Sequence, residues 1–305
     1  MKNQKRLLEL NKEELFETPA FDKLWNYSDP AETEKKFRDI LPEIKSTKDV
    51  SAYLQLLTQI ARTLGLQKKF DEADNILDEA EPQLSEEQYI AKIRYELERG
   101  RILNSSRKKD KGKEHFLKAY ELALKHKLDF YSIDAAHMLG IIETAEDSLK
   151  WNETAMKIAE ESDNARARKW LGSLYNNNGW TYHDMKNYDK AMELFEKNVE
   201  WHTENNKVKE MIIAKWCVAR TLRSMNKIDE ALKSQQDVLE EALQKGITDN
   251  GYTYEELGEC FLLKGNKEEA AKNFRVAYDE LSQDTWLAEY EKERLERIKE
   301  LSEVN

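Results

Sequence analysis

Tyr254-Glu255-Glu256-Leu257-Gly258-Glu259-Cys260-Phe261, then Lys264-Gly265-Asn266-Lys267, then Ala270, Phe274, Ala277 and Leu281, is the stretch that decides the fold. Leu257, Gly258 and Phe261 recur at helical spacing, with Tyr254 one turn earlier. After the breaker around Gly265, the apolar series resumes at steps of three and four. Two amphipathic helices joined by a tight turn are predicted. Gly258 and Ala270 are small where the two helices must approach closely, and Phe274 is the large residue that fills the groove between them.

The same arrangement recurs along the chain. Tyr175, Gly179, Tyr182, Ala191 and Phe195 repeat it closely, and Gly100, Leu103, Phe116 and Ala119 repeat it with Gly112 in the place of Ala270. Weaker copies are Ala61, Leu64, Ala73, Leu77 and Ala80; Ala136, Leu139, Ser148 and Ala155; and Ala219, Leu222 and Ala231. In these copies aliphatic or polar residues, among them Asn152 and Gln235, replace the aromatic. Aligned on Ala73, Gly112, Ser148, Ala191, Ala231 and Ala270, the steps are 39, 36, 43, 40 and 39 residues. A repeat of 20–50 residues marks an array of stacked units, each too small to bury a core alone.

The pattern resembles the tetratricopeptide repeat: an aromatic, Leu-Gly, a second aromatic, then Ala with an aromatic four residues on. The resemblance covers about residues 50–281, and the chain as a whole is similar to bacterial members of the family with extended repeats. It implies an all-α fold, a right-handed α-α superhelix of six helical hairpins over residues 49–283. The steps exceed the family's 34 residues, so longer helices or longer connections are expected. Residues 1–48, with Pro19, Pro30 and Pro42, are expected to fold as short N-terminal capping helices, Ser46 or Thr47 capping the long helix that follows. Residues 284–305 are expected to form a C-terminal capping helix carrying Trp286, Leu287, Tyr290, Ile298 and Leu301.

Composition narrows the function. Charged residues make up 36% of the 305 residues, the net charge is -11, and only 10 Gly and 4 Pro are present, which favours helices over loops or sheets. An acidic chain disfavours nucleic acid and anionic membrane surfaces as partners. No stretch approaches the roughly 18 apolar residues of a membrane helix. The N-terminus meets Glu9 before an apolar core forms and does not read as a secretory signal. Cys217 and Cys260 lack metal-like spacing and read as free thiols in a reducing cytoplasm.

In the family, the first helix of each hairpin lines the concave face. Positions three before, one after and four after each small residue share one helical face. That face reads Thr58, Arg62, Gly65; Leu97, Arg101, Asn104; Ile133, His137, Gly140; Asn176, Trp180, His183; Trp216, Arg220, Arg223; Glu255, Glu259, Leu262. Arginine offers a planar fork to carboxylates, tryptophan offers large contact area, and Asn176 and Asn177 supply amides for extended backbone. The candidate partner contacts are therefore Arg62, Arg101, Asn104, His137, Asn176, Asn177, Trp180, His183, Trp216, Arg220, Arg223, Glu255 and Glu259. The competing structural role is salt bridges between hairpins, with Arg220 and Arg223 reaching Glu255 and Glu259. The basic cluster Arg166, Arg168 and Lys169 reads as a helix start meeting solvent.

The function expected is non-catalytic binding of a protein or peptide with acidic groups in the concave groove. The alternatives are a self-associating module that forms homo-oligomers, or a small-ligand receptor around Asn176, Trp180 and His183. Five histidines are present, none in a metal pair or beside a nucleophile, and no phosphate-binding glycine loop occurs. No enzyme activity, cofactor or metal is implied.

Overall fold

A computed structural model describes residues 19–303. The first 18 residues of the expected N-terminal cap, and the last two of the C-terminal one, lie outside the described residues. Among the described residues there are helices and no β-strand. They fall into two compact units, one ending at Lys169 and one beginning at Trp170.

In the first unit a 3-10 helix (Ala20–Leu24) and α1 (Pro30–Ser46) precede three hairpins. These are α2 (Val50–Leu66) with α3 (Phe70–Ala80), α4 (Tyr89–Ser105) with α5 (Lys109–Lys125), and α6 (Asp129–Ile142) with α7 (Ala145–Glu161). A single turn, α8 (Ala165–Arg168), ends the unit. In the second unit the hairpins are α9 (Leu171–Asp184) with α10 (Tyr188–Glu204), α11 (Val208–Ser224) with α12 (Ile228–Gln244), and α13 (Gly251–Leu263) with α14 (Lys267–Leu281). The short helices α15 (Thr285–Tyr290) and α16 (Lys292–Ser302) follow.

Small and large residues interlock inside the hairpins as the repeat pattern predicts. Phe116, Phe195 and Phe274 have no exposed surface. A Cβ added at Gly100 would lie 2.5 Å from the Phe116 ring, at Gly179 2.5 Å from Phe195, and at Gly258 2.9 Å from Phe274. Glycine is required at these crossings because the ring of the second helix occupies the space of a side chain on the first. The α6–α7 hairpin makes the crossing with an amide, since a Cβ at Gly140 would meet Asn152 at 2.5 Å. Gln235 takes the same place in α12 and is fully buried. The long period comes chiefly from helix length, for α4, α5, α10, α11 and α12 each run 17 residues.

One device closes most turns. Lys48, Lys68, Arg107, Lys127, Lys186, Asn206 and Asn226 adopt φ between 55° and 64°, and Gly246 and Gly265 adopt 73° and 77°. Each stands just past a helix end. After α2, the amides of Lys68 and Lys69 donate to the carbonyls of Gly65 and Leu64, each at 3.0 Å, which satisfies two terminal carbonyls and reverses the chain. Hairpin geometry is thus written as much in left-handed lysines as in glycine.

Both ends depart from expectation. Asp49, not Ser46 or Thr47, caps α2, accepting from the Ala52 amide at 3.0 Å. The Ser46 and Thr47 hydroxyls donate instead to carbonyls at the end of α1. The C-terminal helix is broken at Glu291, whose φ of -123° is not helical. The break lets Leu287, Leu295 and Ile298 all pack on the Ala270, Phe274 and Ala277 core. Trp286 and Tyr290 stay exposed. No helix among the described residues is long and apolar enough to cross a membrane.

Candidate functional site

In three of the hairpins the first helix carries an ionic code that links it to its neighbour. The residue one after the small position pairs with an acid two before the small position of the next hairpin. Arg62 reaches Glu98 at 3.6 Å, Arg101 bonds Asp134, and Arg220 reaches Glu256 at 2.8 Å. Arg101 also holds Glu98 at 2.5 Å, so in the first unit two arginines and two acids balance. Burial, and then the charge of Arg101, lower the affinity of Arg62 for its proton. His137, half-buried one hairpin on from Arg101, is likewise held below the usual histidine range by burial. Asn104 is half-buried on the same helix as Arg101.

The face predicted from the repeat is rotated in this unit. Thr58, Leu97 and Ile133, three before each small residue, are buried rather than accessible. The polar face runs instead through positions two before and one after, such as Glu98 with Arg101 and Asp134 with His137. The rotation follows from the helix neighbours on both sides, which the spacing of one helix cannot report.

In the second unit the structure brings three aromatic residues from successive hairpins into a row. The Trp180 and Trp216 ring centroids are 5.9 Å apart, and those of Trp216 and Tyr252 6.1 Å. The Trp216 indole N–H donates to the Tyr252 carbonyl at 3.2 Å. Trp180 also meets the core, edge-on to Phe195 at 5.2 Å. A hollow of about 360 Å³ opens beside the row, floored by Ile212, Ile213, Trp216, Ile247 and Tyr252. Ile213 is 47% exposed and Tyr252 39%, so the apolar surface faces outward. Asn177 is exposed on α9 and Asn176 half-buried beside it.

Next to the row, Glu256 is shared by two arginines. Arg223 binds it through Nε and Nη2 at 2.7 and 2.9 Å, and Arg220 binds it through Nε. Arg220 also donates to the Ser224 hydroxyl at 2.6 Å, and that hydroxyl contacts His183 Nε2 at 2.9 Å. Two guanidiniums share one carboxylate, and the Glu259 carboxylate also acts on Arg223. Burial, then the nearby Arg220 charge, hold His183 below the usual histidine range, so it is neutral at neutral pH.

The arginine partners differ from those expected. Glu255 and Glu259 do not receive Arg220 and Arg223. Glu255 takes a bidentate pair from Arg294 at 2.9 and 2.6 Å, and Glu259 takes Arg297 at 2.5 Å, both from α16. Arg294 also lies 5.3 Å over the Tyr252 ring. Burial pushes the Cys217 thiol up to about 12 and the Cys260 thiol up to about 11, which keeps both protonated and unreactive at neutral pH. Tyr252, Glu256 and Arg294 were missed by sequence. Tyr252 and Ile213 sit six before their small residues, one turn further along the same face, and carry a legible signal. Glu256 and Arg294 carry none without the neighbouring helices.

A tetratricopeptide-repeat family model matches residues 172–201, the hairpin that contains Gly179 and Phe195. No curated protein matches the sequence. Several solved structures share the fold. One is a signal transduction ATPase with numerous domains from Pyrococcus horikoshii, which carries a tetratricopeptide repeat sensor. It is 17% identical with a TM-score of 0.70 over 87% of this chain, and the chain spans 42% of its length. Another is the apo form of the quorum sensor NprR from B. thuringiensis, 16% identical with a TM-score of 0.62, covering 92% of this chain and 79% of that one. A third is the C-terminal part of a repeat protein from Cytophaga hutchinsonii, 14% identical with a TM-score of 0.58, covering 88% of this chain and 95% of that one.

Proposed function

We propose that this chain, a tetratricopeptide-repeat protein, is a non-catalytic scaffold that holds an extended protein segment against α9, α11 and α13. An apolar side chain of the partner fills the hollow beside Trp216 and Tyr252. A carboxylate of the partner meets the guanidiniums of Arg220 and Arg223 beside Glu256. The exposed amide of Asn177, with the half-buried Asn176 beside it, suits its backbone. The observation that carries this reading is the aromatic row contributed by three consecutive hairpins, set beside two guanidiniums that share one acid. The quorum sensor and the ATPase sensor domain of similar fold support a recognition role. An affinity of about -8 kcal/mol, near micromolar, suits such a groove.

Capture from a native lysate tests it. The variant Ile213→Ser/Tyr252→Ala removes outward-facing apolar surface and leaves the Glu256 network in place. It is expected to lose captured partner at least tenfold while its melting temperature stays within a few degrees of wild type. Equal capture by a folded variant removes this face from consideration.

A further inference from the structure

The corresponding helices of the first unit are not bare: a segment of the chain itself lies across them. Asp22, in the 3-10 helix Ala20–Leu24, takes a two-pronged pair from Arg94 on α4, with Nη1 at 3.0 Å from Oδ1 and Nη2 on Oδ2. Arg166 on α8 reaches the same carboxylate at 3.3 Å. The Tyr131 hydroxyl on α6 accepts from Arg94 Nε at 2.9 Å. Three residues past Asp22, the Trp25 indole N–H donates to Gln59 on α2 at 3.0 Å. Tyr27 stacks on Trp25 at 4.6 Å and lies among the charges of Arg62, Glu98, Arg101 and Asp134.

These contacts correct two expectations from sequence. The N-terminal segment does more than cover the first hairpin, since it reaches Arg94 on α4 and Arg166 on α8. Arg166 is not a helix start meeting solvent: besides Asp22, it lies 3.6 Å over the Phe130 ring.

We infer that this face of α2, α4 and α6, with Arg166, is a second binding surface. Its partner is an extended protein segment with a carboxylate followed three residues later by an indole, and residues 20–27 are the resident, displaceable copy of that chemistry. Three features carry it. The arginine fork is matched to a carboxylate, and the carboxylate that meets Arg94 arrives from a short segment rather than from a neighbouring repeat. The other first-helix arginine pairs in this unit, Arg62 with Glu98, Arg99 with Asp74 and Asp78, and Arg101 with Asp134, are internal to the repeats. An open hollow of about 650 Å³ also lies beside the segment, lined by Phe21 and Leu24 with Ile40, Ile44 and Ile90. This site lies in a different unit from the aromatic row and stands or falls separately from it.

The test uses the full chain and a fluorescein-labelled synthetic peptide of residues 19–28. Asp22→Asn keeps the size and apolar packing of the resident segment and removes only its charge, which weakens its hold on Arg94. Fluorescence polarisation is expected to show the peptide binding Asp22→Asn at least tenfold more tightly than wild type. A peptide with asparagine in place of its aspartate is expected to lose at least tenfold on the same variant. Equal binding of both peptides, or binding to neither protein, overturns the inference. So does a wild-type chain that forms dimers which the peptide dissolves, because the face would then belong to a second copy. If Asp22→Asn melts early, Trp25→Phe, which loses only the indole donor to Gln59, is measured in the same way with the same two outcomes.

Discussion

Phe195→Ala is expected to lower the unfolding free energy of the second unit by about 3–5 kcal/mol, the cost of an aromatic cavity in a closed core. The ring is fully buried. It fills space left by Gly179, where a Cβ would come within 2.5 Å of it. Removing the ring therefore exposes the floor of the helix crossing. The converse change, Gly179→Ala, forces the same ring away and is expected to cost about 1–3 kcal/mol by itself. The two losses should not add, because the small residue no longer needs to be glycine once the ring is gone. Denaturation followed by far-ultraviolet circular dichroism on the two single variants and the double variant measures the coupling. Additive losses, or a loss below about 1 kcal/mol for Phe195→Ala, would mean that these helices do not cross where the small and large residues place them.

Glu256→Ala is expected to be about as damaging, near 3 kcal/mol, for an electrostatic reason. Glu256 is 5% exposed and is the shared partner of Arg220 and Arg223. Its loss leaves two guanidiniums facing each other with no acid between them. Coulomb repulsion across a partly buried site is weakly screened, so added salt should restore little of the loss. Glu256→Gln, which keeps two hydrogen-bonding atoms at the site, should lose less than alanine. Equal stability of wild type and alanine variant in the same denaturation assay would show that water already satisfies those arginines and that the ionic code between hairpins is decorative.

Much of this fold was legible because it repeats. Gly100, Gly179 and Gly258 announced the helix crossings, and Phe116, Phe195 and Phe274 announced what fills them, since a close approach leaves a small residue and a large one at fixed spacing. The polar crossings at Asn152 and Gln235 were legible only as places where the aromatic was missing. The helix turns were partly hidden, because Lys68, Arg107 and Lys186 do in left-handed geometry what Gly265 does, and lysine gives no sign of it.

The site was less legible, for a specific reason. Helical spacing gives a face but not what stands opposite it. Arg101 and Arg220 were visible as arginines on the right helix, yet their partners Asp134 and Glu256 belong to the next hairpin. Glu255 and Glu259 looked available to a ligand until α16 placed Arg294 and Arg297 over them. What stays outward in the second unit is apolar and aromatic, and the arginines are paired with acids rather than standing as a row of free forks.

Hydrogen exchange on the second unit, measured by mass spectrometry with and without the partner recovered from lysate, tests the central claim most directly. Slowed exchange concentrated in α9, α11 and α13, with α10, α12 and α14 unchanged, is the predicted result. Protection confined to the second helices of the hairpins, or none in either set, would contradict it.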